Sequence, residues 1–323
     1  MAFSTKRILM NNLNISFNVM TCLSFKDRYN LCITSKSLFE TLFKKYQHNE
    51  IIEIQFEDYR LCDIWRNVKF KIDLGYCSNI TDVSMLGNVY TLNLRYCYNI
   101  IDVSMLGKVH TLDLSYCPNI TDVSMLRNVH TLDLSYCPNI TDVSMLGNSQ
   151  HQKCCNETKW SCQHQKCCNE TKWSCHTLSL CGCRKITDVS MLGNLHTLNL
   201  FWCVNVTDVS MLKKVHTLNL SDCNNITDIS MLGKVHTLNL SNCRKIKDVS
   251  MLGKIHTLNL SCCSNIIDVS MLGNVRTLDL YNCCNITDVS MLGNVHTLNL
   301  SGCHNITEYQ IEELKKTVKN LKI

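Results

Sequence analysis

The stretch Val89-Tyr90-Thr91-Leu92-Asn93-Leu94-Arg95-Tyr96-Cys97-Tyr98-Asn99-Ile100-Ile101-Asp102-Val103-Ser104-Met105-Leu106 decides the fold, because with few changes it returns every 20 residues. Leu92, Leu112, Leu132, Leu198, Leu218, Leu238, Leu258, Leu278 and Leu298 hold one place in the repeat. A fixed period of this length marks a solenoid, in which each unit buries its apolar face only against its neighbours. Within a copy, Leu92-Asn93-Leu94 alternates with period two and reads as a short strand with both leucines turned inward. Cys97, Ile100, Val103 and Leu106 complete the apolar set. So short a unit has no room for a long helix, and the return path from Thr121 to Leu126 is expected to hold a 3₁₀ turn or an irregular arc. Thr and Asp there can accept hydrogen bonds from backbone amides at the start of that turn. Gly87-Asn88 or Gly107-Lys108 then reverses the chain into the next strand.

Composition suits a stack of aliphatic side chains, with 45% apolar but only 7% aromatic residues. The net charge of +5 is spread without any block of like charges, which argues against nucleic-acid or membrane-surface partners. No apolar run approaches the roughly 18 residues of a membrane span. Lys6-Arg7 is followed by Asn11, Asn12, Asn14 and Asn18, which break the apolar stretch that a signal peptide needs. A cytoplasmic chain is expected. Of 23 cysteines, eleven (Cys77, Cys97, Cys117, Cys137, Cys183, Cys203, Cys223, Cys243, Cys263, Cys283 and Cys303) share one repeat position. A repeated cysteine is a packing residue, a small hydrophobe with a weak thiol donor. Neighbouring rungs have parallel Cβ vectors, poor geometry for bridging. The ladder is therefore read as reduced.

The spacing Val89-xx-Leu92-x-Leu94-xx-Cys97-xx-Ile100 resembles the leucine-rich repeat, and Cys followed by Ile-Thr-Asp is similar to the cysteine-containing subtype found widely in F-box proteins. The resemblance covers residues 73–307. It implies an α/β solenoid, a horseshoe of about 11 short parallel strands with a 20-residue period. Repeats of that subtype usually run longer and carry a convex helix, so these shorter units would curve differently.

Between copies, most positions are nearly frozen. The two residues after the second strand leucine and the one after the cysteine vary: Arg95-Tyr96-Tyr98, Ser115-Tyr116-Pro118, Ser135-Tyr136-Pro138, Phe201-Trp202-Val204, Ser221-Asp222-Asn224, Tyr281-Asn282-Cys284. The resemblance implies that these side chains project at or near the concave face. Arg95, Tyr96, Tyr116, Tyr136, Phe201, Trp202, Asp222 and Tyr281 are thus the candidate target-binding residues, of types enriched at binding hot spots. The competing reading is drift on a solvated face.

A second ladder, His110, His130, His196, His216, His236, His256 and His296, sits beside Thr at the strand start. It reads as a solvated edge rather than a metal site, because a ligand set needs a closed geometry. Residues 150–175 interrupt the period with two identical copies of Gln-His-Gln-Lys-Cys-Cys-Asn-Glu-Thr-Lys-Trp-Ser-Cys. The phase resumes at Leu178, so this insertion is expected to loop out between strands. His151-xx-Cys154-Cys155 matches no standard zinc spacing, and no metal or other cofactor is expected.

Residues 1–50 lack the repeat and look helical. Cys22-Leu23-Ser24-Phe25-Lys26-Asp27-Arg28-Tyr29-Asn30-Leu31-Cys32-Ile33-Thr34-Ser35-Lys36-Ser37-Leu38-Phe39 resembles the second half of an F-box, with Asn11-Asn12 in place of the opening Leu-Pro and Phe39 in place of Trp. The resemblance implies a Skp1-binding face of Ile15, Val19, Leu23, Leu31, Ile33 and Phe39, and a cullin complex behind it. A plain helical cap over the first repeat is the alternative. Residues 51–72 read as linker and first-repeat cap, and 308–323 as an amphipathic C-terminal capping helix. Together the parts resemble the substrate adaptors of Skp1–cullin–F-box ubiquitin ligases. The Asn/Lys/Ile-rich, near-identical repeats are also similar to the expanded repeat families of giant DNA viruses that infect amoebae. No phosphate loop, nucleophile elbow or non-repeated Cys/His/Asp set appears, so no catalysis is expected in this monomeric chain, whose target protein the sequence does not name.

Overall fold

Each Thr-Leu-Asn or Thr-Leu-Asp triplet forms a strand of three residues, buried only at its central leucine. The computed structural model describes residues 52–55, 70–87, 89–147 and 175–323. The F-box-like segment, its six candidate Skp1-binding residues and the insertion up to residue 174 lie outside the described residues. The strands are β1 (Ile52–Gln55), β2 (Phe70–Asp73), β3 (Thr91–Asn93), β4 (Thr111–Asp113), β5 (Thr131–Asp133), β6 (Thr177–Ser179), β7 (Thr197–Asn199), β8 (Thr217–Asn219), β9 (Thr237–Asn239), β10 (Thr257–Asn259), β11 (Thr277–Asp279), β12 (Thr297–Asn299) and β13 (Asn320–Lys322). They form one all-parallel sheet in strict sequence order. The register is one repeat per strand, Leu92 opposite Leu112 and Leu112 opposite Leu132.

Among the described residues thirteen strands stand where the repeat spacing predicted about eleven. The additional ones are terminal: β1 lies in the segment read as linker and cap, and β13 follows the C-terminal helix. That helix, α1 (Glu308–Thr317), therefore takes up only part of 308–323. Its start is fixed by a capping box between Thr307 and Gln310. Leu314 and Val318 cover the last coil, and β13 then extends the sheet.

Behind the sheet, each coil turns through a 3₁₀ segment such as Ser104–Leu106, which the short period demanded. Asp sets it up: Asp102 Oδ1 accepts the Ser104 N–H at 2.8 Å, and the same bond recurs at Asp122, Asp208 and Asp248. Leu of each Ser-Met-Leu is buried, while Met105, Met211 and Met251 face solvent. The glycine that follows has a different role from the expected reversal. Gly107 and Gly233 are in the ordinary right-handed region, and a Cβ on either would meet the carbonyl oxygen of the next coil's Met125 or Met251 at 2.3 Å. Neighbouring backbones approach closely at these two glycines, whereas Arg127 and Lys213 hold the same position in other coils.

The core is a set of columns rather than a single cluster around a centre: Leu, Leu, Cys, Ile, Val, Leu and Val, one of each per coil, nearly all fully buried. Cysteine adds a bond to its packing. Cys97 Sγ donates to Leu74 O at 3.2 Å, and Cys117, Cys203, Cys243 and Cys283 do the same to the leucine carbonyl one coil back at 3.1–3.2 Å. All cysteines among the described residues are free. Asparagine ties the turns together, as Asn119 Nδ2 donates to Tyr98 O at 2.8 Å and Asn225 Nδ2 to Val204 O at 2.7 Å. At the insertion the stack continues without a break, with Leu132 opposite Leu178. Cys175, which the sequence reading placed at the end of the insertion, is buried in the column that holds Val in other repeats.

Candidate partner-binding surface

The variable positions separate into two adjacent columns with different backbones. The second column is left-handed in every complete repeat: Tyr76, Tyr96, Tyr116, Tyr136, Trp202, Asp222, Asn242, Cys262 and Asn282 have φ between 56° and 67°, and Gly182 and Gly302 have 69° and 80°. The geometry follows from hydrogen bonding. A left-handed residue turns the chain out of the strand while its N–H still reaches the next coil, as Tyr116 N to Ser135 O at 2.8 Å and Asn242 N to Ser261 O at 2.7 Å. Before this turn, the strand's last side chain accepts the N–H two residues on, as Asn93 Oδ1 does from Arg95 and Asp113 Oδ1 from Ser115. Glycine, asparagine and aspartate take this conformation readily, whereas bulky side chains are outliers in it.

The aromatic residues of this column are confined to one half of the solenoid. Tyr76, Tyr96, Tyr116 and Tyr136 stack ring on ring, with centroids 4.7, 4.3 and 4.6 Å apart. Gly182 continues the column without a side chain; a Cβ there would lie 2.7 Å from the Tyr136 ring. Tyr136 then meets Trp202 edge-on at 6.5 Å. Two guanidinium groups join the stack: Arg95 lies 5.0 and 5.1 Å from the Tyr96 and Tyr116 centroids, and Arg184 3.6 Å from that of Trp202. Neither arginine forms an ion pair among the described residues, though Asp113 and Asp133 lie close enough to Arg95 to act on it electrostatically. The Tyr136 hydroxyl is pushed up to about 12 by its hydrogen bond with Cys181 and by burial, and burial raises Tyr116, so both remain neutral phenols. Burial likewise raises Asp133, next in the strand column.

Of the eight residues named from sequence, Tyr96, Tyr116, Tyr136, Trp202 and Asp222 belong to the left-handed column. Arg95, Phe201 and Tyr281 belong to the column before it, where most repeats carry serine and where Ser115, Ser135 and Ser221 are buried. Arg95 joins the aromatic stack, whereas Tyr281 stands far from it at β11 and Asp222 bonds to Asn242 Nδ2. Sequence reasoning missed Tyr76 and Arg184, and named Tyr98 among the variable positions without carrying it into the candidate set. Tyr76 opens the stack and is 70% exposed, and Tyr98 packs its edge on Tyr96 at 6.1 Å. The 20-residue phase already placed Tyr76 in the Tyr96 column. Gly182, Asn242, Asn282 and Gly302 in the same column were the available signal for a left-handed turn.

At the opposite end of the strands, Tyr90, His110, His130, His176, His196, His216, His236 and His256 form one continuous stack with centroids 4.4–5.0 Å apart. Each imidazole Nδ1 is within hydrogen-bond reach of the adjacent threonine hydroxyl, as at His196 with Thr197 at 3.2 Å. Burial, then the neighbouring imidazoles, lower the pKa of His176, His196 and His236.

A family model described as leucine-rich repeat matches residues 126–146. Among solved structures, the internalin InlF of Listeria monocytogenes superposes with a TM-score of 0.54 at 22% identity, covering 81% of this chain and 82% of that one. Mouse RP105, in its complex with MD-1, gives a TM-score of 0.54 at 18% identity over 85% of this chain and 51% of that one. No curated protein matches. With the sheet and its 20-residue coils, these matches show a leucine-rich-repeat solenoid fold. Its unit is a short one, with a thiol ladder inside and an aromatic stack at the turn that leaves the strands.

Proposed function

We propose that the chain is a non-catalytic protein-binding adaptor, the substrate-recognition subunit of a ubiquitin ligase of the Skp1–cullin–F-box type. In this reading the solenoid holds a target protein, and Ile15, Val19, Leu23, Leu31, Ile33 and Phe39 dock a Skp1-like adaptor in the cytoplasm, that of the host if the chain is viral. The observation that carries the holding role is the run of aromatic side chains, with Arg95 and Arg184 against them, at the turns that leave the strands of an open sheet. The ligase role is supported by the F-box-like residues 22–39 beside a cysteine-type repeat. Co-purification of tagged full-length chain with Skp1, alongside an established F-box protein, tests it: Skp1 is expected in the eluate, and its absence while the control succeeds overturns the ligase role.

A second reading, an interaction scaffold whose N-terminus only caps the solenoid, is favoured by the sheet's extension to β1, immediately after that segment. Deleting residues 1–50 separates the two. An F-box deletion leaves a soluble solenoid that has lost Skp1, whereas removal of a cap leaves an aggregating one.

A further inference from the structure

No block of like charges stands in the chain, yet coiling assembles one. Each coil enters its strand through the same tight turn, as Leu232–Val235, where the Val235 N–H donates to Leu232 O at 3.0 Å. The residue before this valine or isoleucine is an exposed lysine in three successive coils, Lys214, Lys234 and Lys254, with Lys213 beside the first. The next coil places an exposed Arg276 directly before its strand, in the histidine column. Parallel register sets these five cations in a row along the entry edge of β8 to β11. None of them forms an ion pair among the described residues. Carboxylates are kept off this edge, because no Asp or Glu stands between the 3₁₀ methionine and the strand leucine of any uninterrupted repeat. Asp208, Asp228, Asp248 and Asp268 stand before the 3₁₀ turn, each accepting the serine N–H two residues on. The charges that act on Asp208 and Asp268 are those of neighbouring aspartates. Asp222 and Asp279 belong to the other end of the strands. Nothing in the fold requires lysine at the entry turn, since Asn194, Asn274 and Asn294 precede the same bond in their own coils.

We infer that the strand-entry edge from Lys213 to Arg276 is the docking surface for an extended acidic segment of a partner protein. This edge is at the opposite end of the strands from the aromatic turns, and the inference goes beyond the reading above without depending on the ligase role. Charge complementarity selects the occupant. Four strands at the usual sheet spacing span roughly 15 Å, so the cations fall about every 3–4 Å, close to the rise per residue of an extended chain. Single-stranded nucleic acid suits the edge less well. Bases bind by stacking on open aromatic faces, and the rings here, His196, His216, His236 and His256, cover one another's faces at 4.5–4.6 Å. A membrane surface would need apolar side chains to insert, and Val215, Val235 and Ile255 at these turns are buried. Burial and neighbouring imidazoles keep His196 and His236 neutral at pH 7.5, so the lysines and Arg276 carry the charge there.

Fluorescence anisotropy of the full chain at pH 7.5, with a labelled oligoglutamate peptide, a matched oligolysine peptide and an oligothymidylate, tests the assignment. Oligoglutamate alone is expected to bind, more weakly as salt rises. Lys214→Asn, Lys234→Asn and Lys254→Asn together install the residue that other repeats carry at this turn. That variant is expected to keep its thermal midpoint and to weaken binding about tenfold. Arg276→His, which restores the histidine column, is expected to weaken it about two- to threefold on its own. Arg244→Gln, Lys245→Gln and Lys247→Gln together remove the same charge beyond the other end of the strands, and are expected to leave binding within about twofold. Equal losses in the two triple variants overturn the site, because binding then follows net charge alone. Tighter binding of oligothymidylate than of oligoglutamate overturns the acidic-segment assignment in favour of nucleic acid. Absence of oligoglutamate binding overturns the partner chemistry and leaves co-purification with Skp1 as it was.

Discussion

The left-handed turn asks the same thing of every repeat, and the residues answer it in two ways. A bulky L-residue in this conformation costs about 1–2 kcal/mol relative to glycine. For Tyr116 this is offset by stacking on Tyr96 and Tyr136, each contact contributing about 0.5–1.5 kcal/mol. The two effects nearly cancel, so Tyr116→Asn is expected to stay within about 1 kcal/mol of the parent in chemical denaturation. Asn242 has Asp222 and Cys262 as column neighbours and no ring to stack on. Asn242→Tyr is therefore expected to lose about 1–2 kcal/mol in the same measurement. Cysteine gives a second residue-scale prediction. Burial pushes the Cys117 thiol up to about 12 and raises Cys203 and Cys243 likewise, and each of the three is bonded to a leucine carbonyl. Alkylation of the native chain followed by mass spectrometry is expected to label the partly exposed Cys262 and Cys284 and to leave Cys203 and Cys243 unmodified until the chain unfolds.

At the scale of the element, coils are held by backbone proximity on one side of the strands and by ring stacking on the other. A Cβ on Gly233 would meet the Met251 carbonyl oxygen at 2.3 Å, so Gly233→Ala must shift that carbonyl and its coil, although Arg127 and Lys213 hold the same position in their own coils. A loss of about 1–3 kcal/mol is expected in a urea melt, in line with overpacking elsewhere in protein cores. The histidine stack makes the solenoid sensitive to pH. The pKa values of His176, His196 and His236 lie below 6.5 when folded, so the native state favours neutral imidazole and the unfolded chain binds more protons. That stabilisation is present above the unfolded value and is lost as pH falls below it. The turn aspartates follow at lower pH: bonds from Ser190 and Ser210 hold Asp188 and Asp208 below 3.8, and protonation there removes the bonds. Thermal midpoints measured from pH 8 downward are expected to fall first across the histidine range and again near pH 4.

At the scale of the molecule, continuity of the stack is the governing property. The register across the insertion, Thr131 to Thr177 and Leu132 to Leu178, is the same as between uninterrupted repeats. Deleting residues 149–174 would join Asn148 to Cys175 and restore the 20-residue period, with Cys175 in its buried column. That variant is expected to melt within a few degrees of the parent by circular dichroism. A deletion of 308–323 is expected to behave oppositely, because it removes Leu314, Val318 and β13 and bares the core of the last coil.

Much of this was legible in the letters. The period of 20, the inward leucines, the cysteine column and the 3₁₀ return path all follow from the spacing of apolar residues, because in a solenoid each repeat solves the same local packing problem. The glycine was legible as a turn, but not as a contact between backbones one coil apart. The aromatic row was half legible: variation singled out Tyr96, Tyr116, Tyr136 and Trp202, yet their common left-handed backbone and the ring stack arise between coils, not within one. The sequence by itself determined a stack of short parallel strands, since burial of its apolar columns admits no other periodic arrangement. Only the tertiary structure decided what that stack presents to a partner, because side chains 20 residues apart in the chain become neighbours less than 5 Å apart once the coils close.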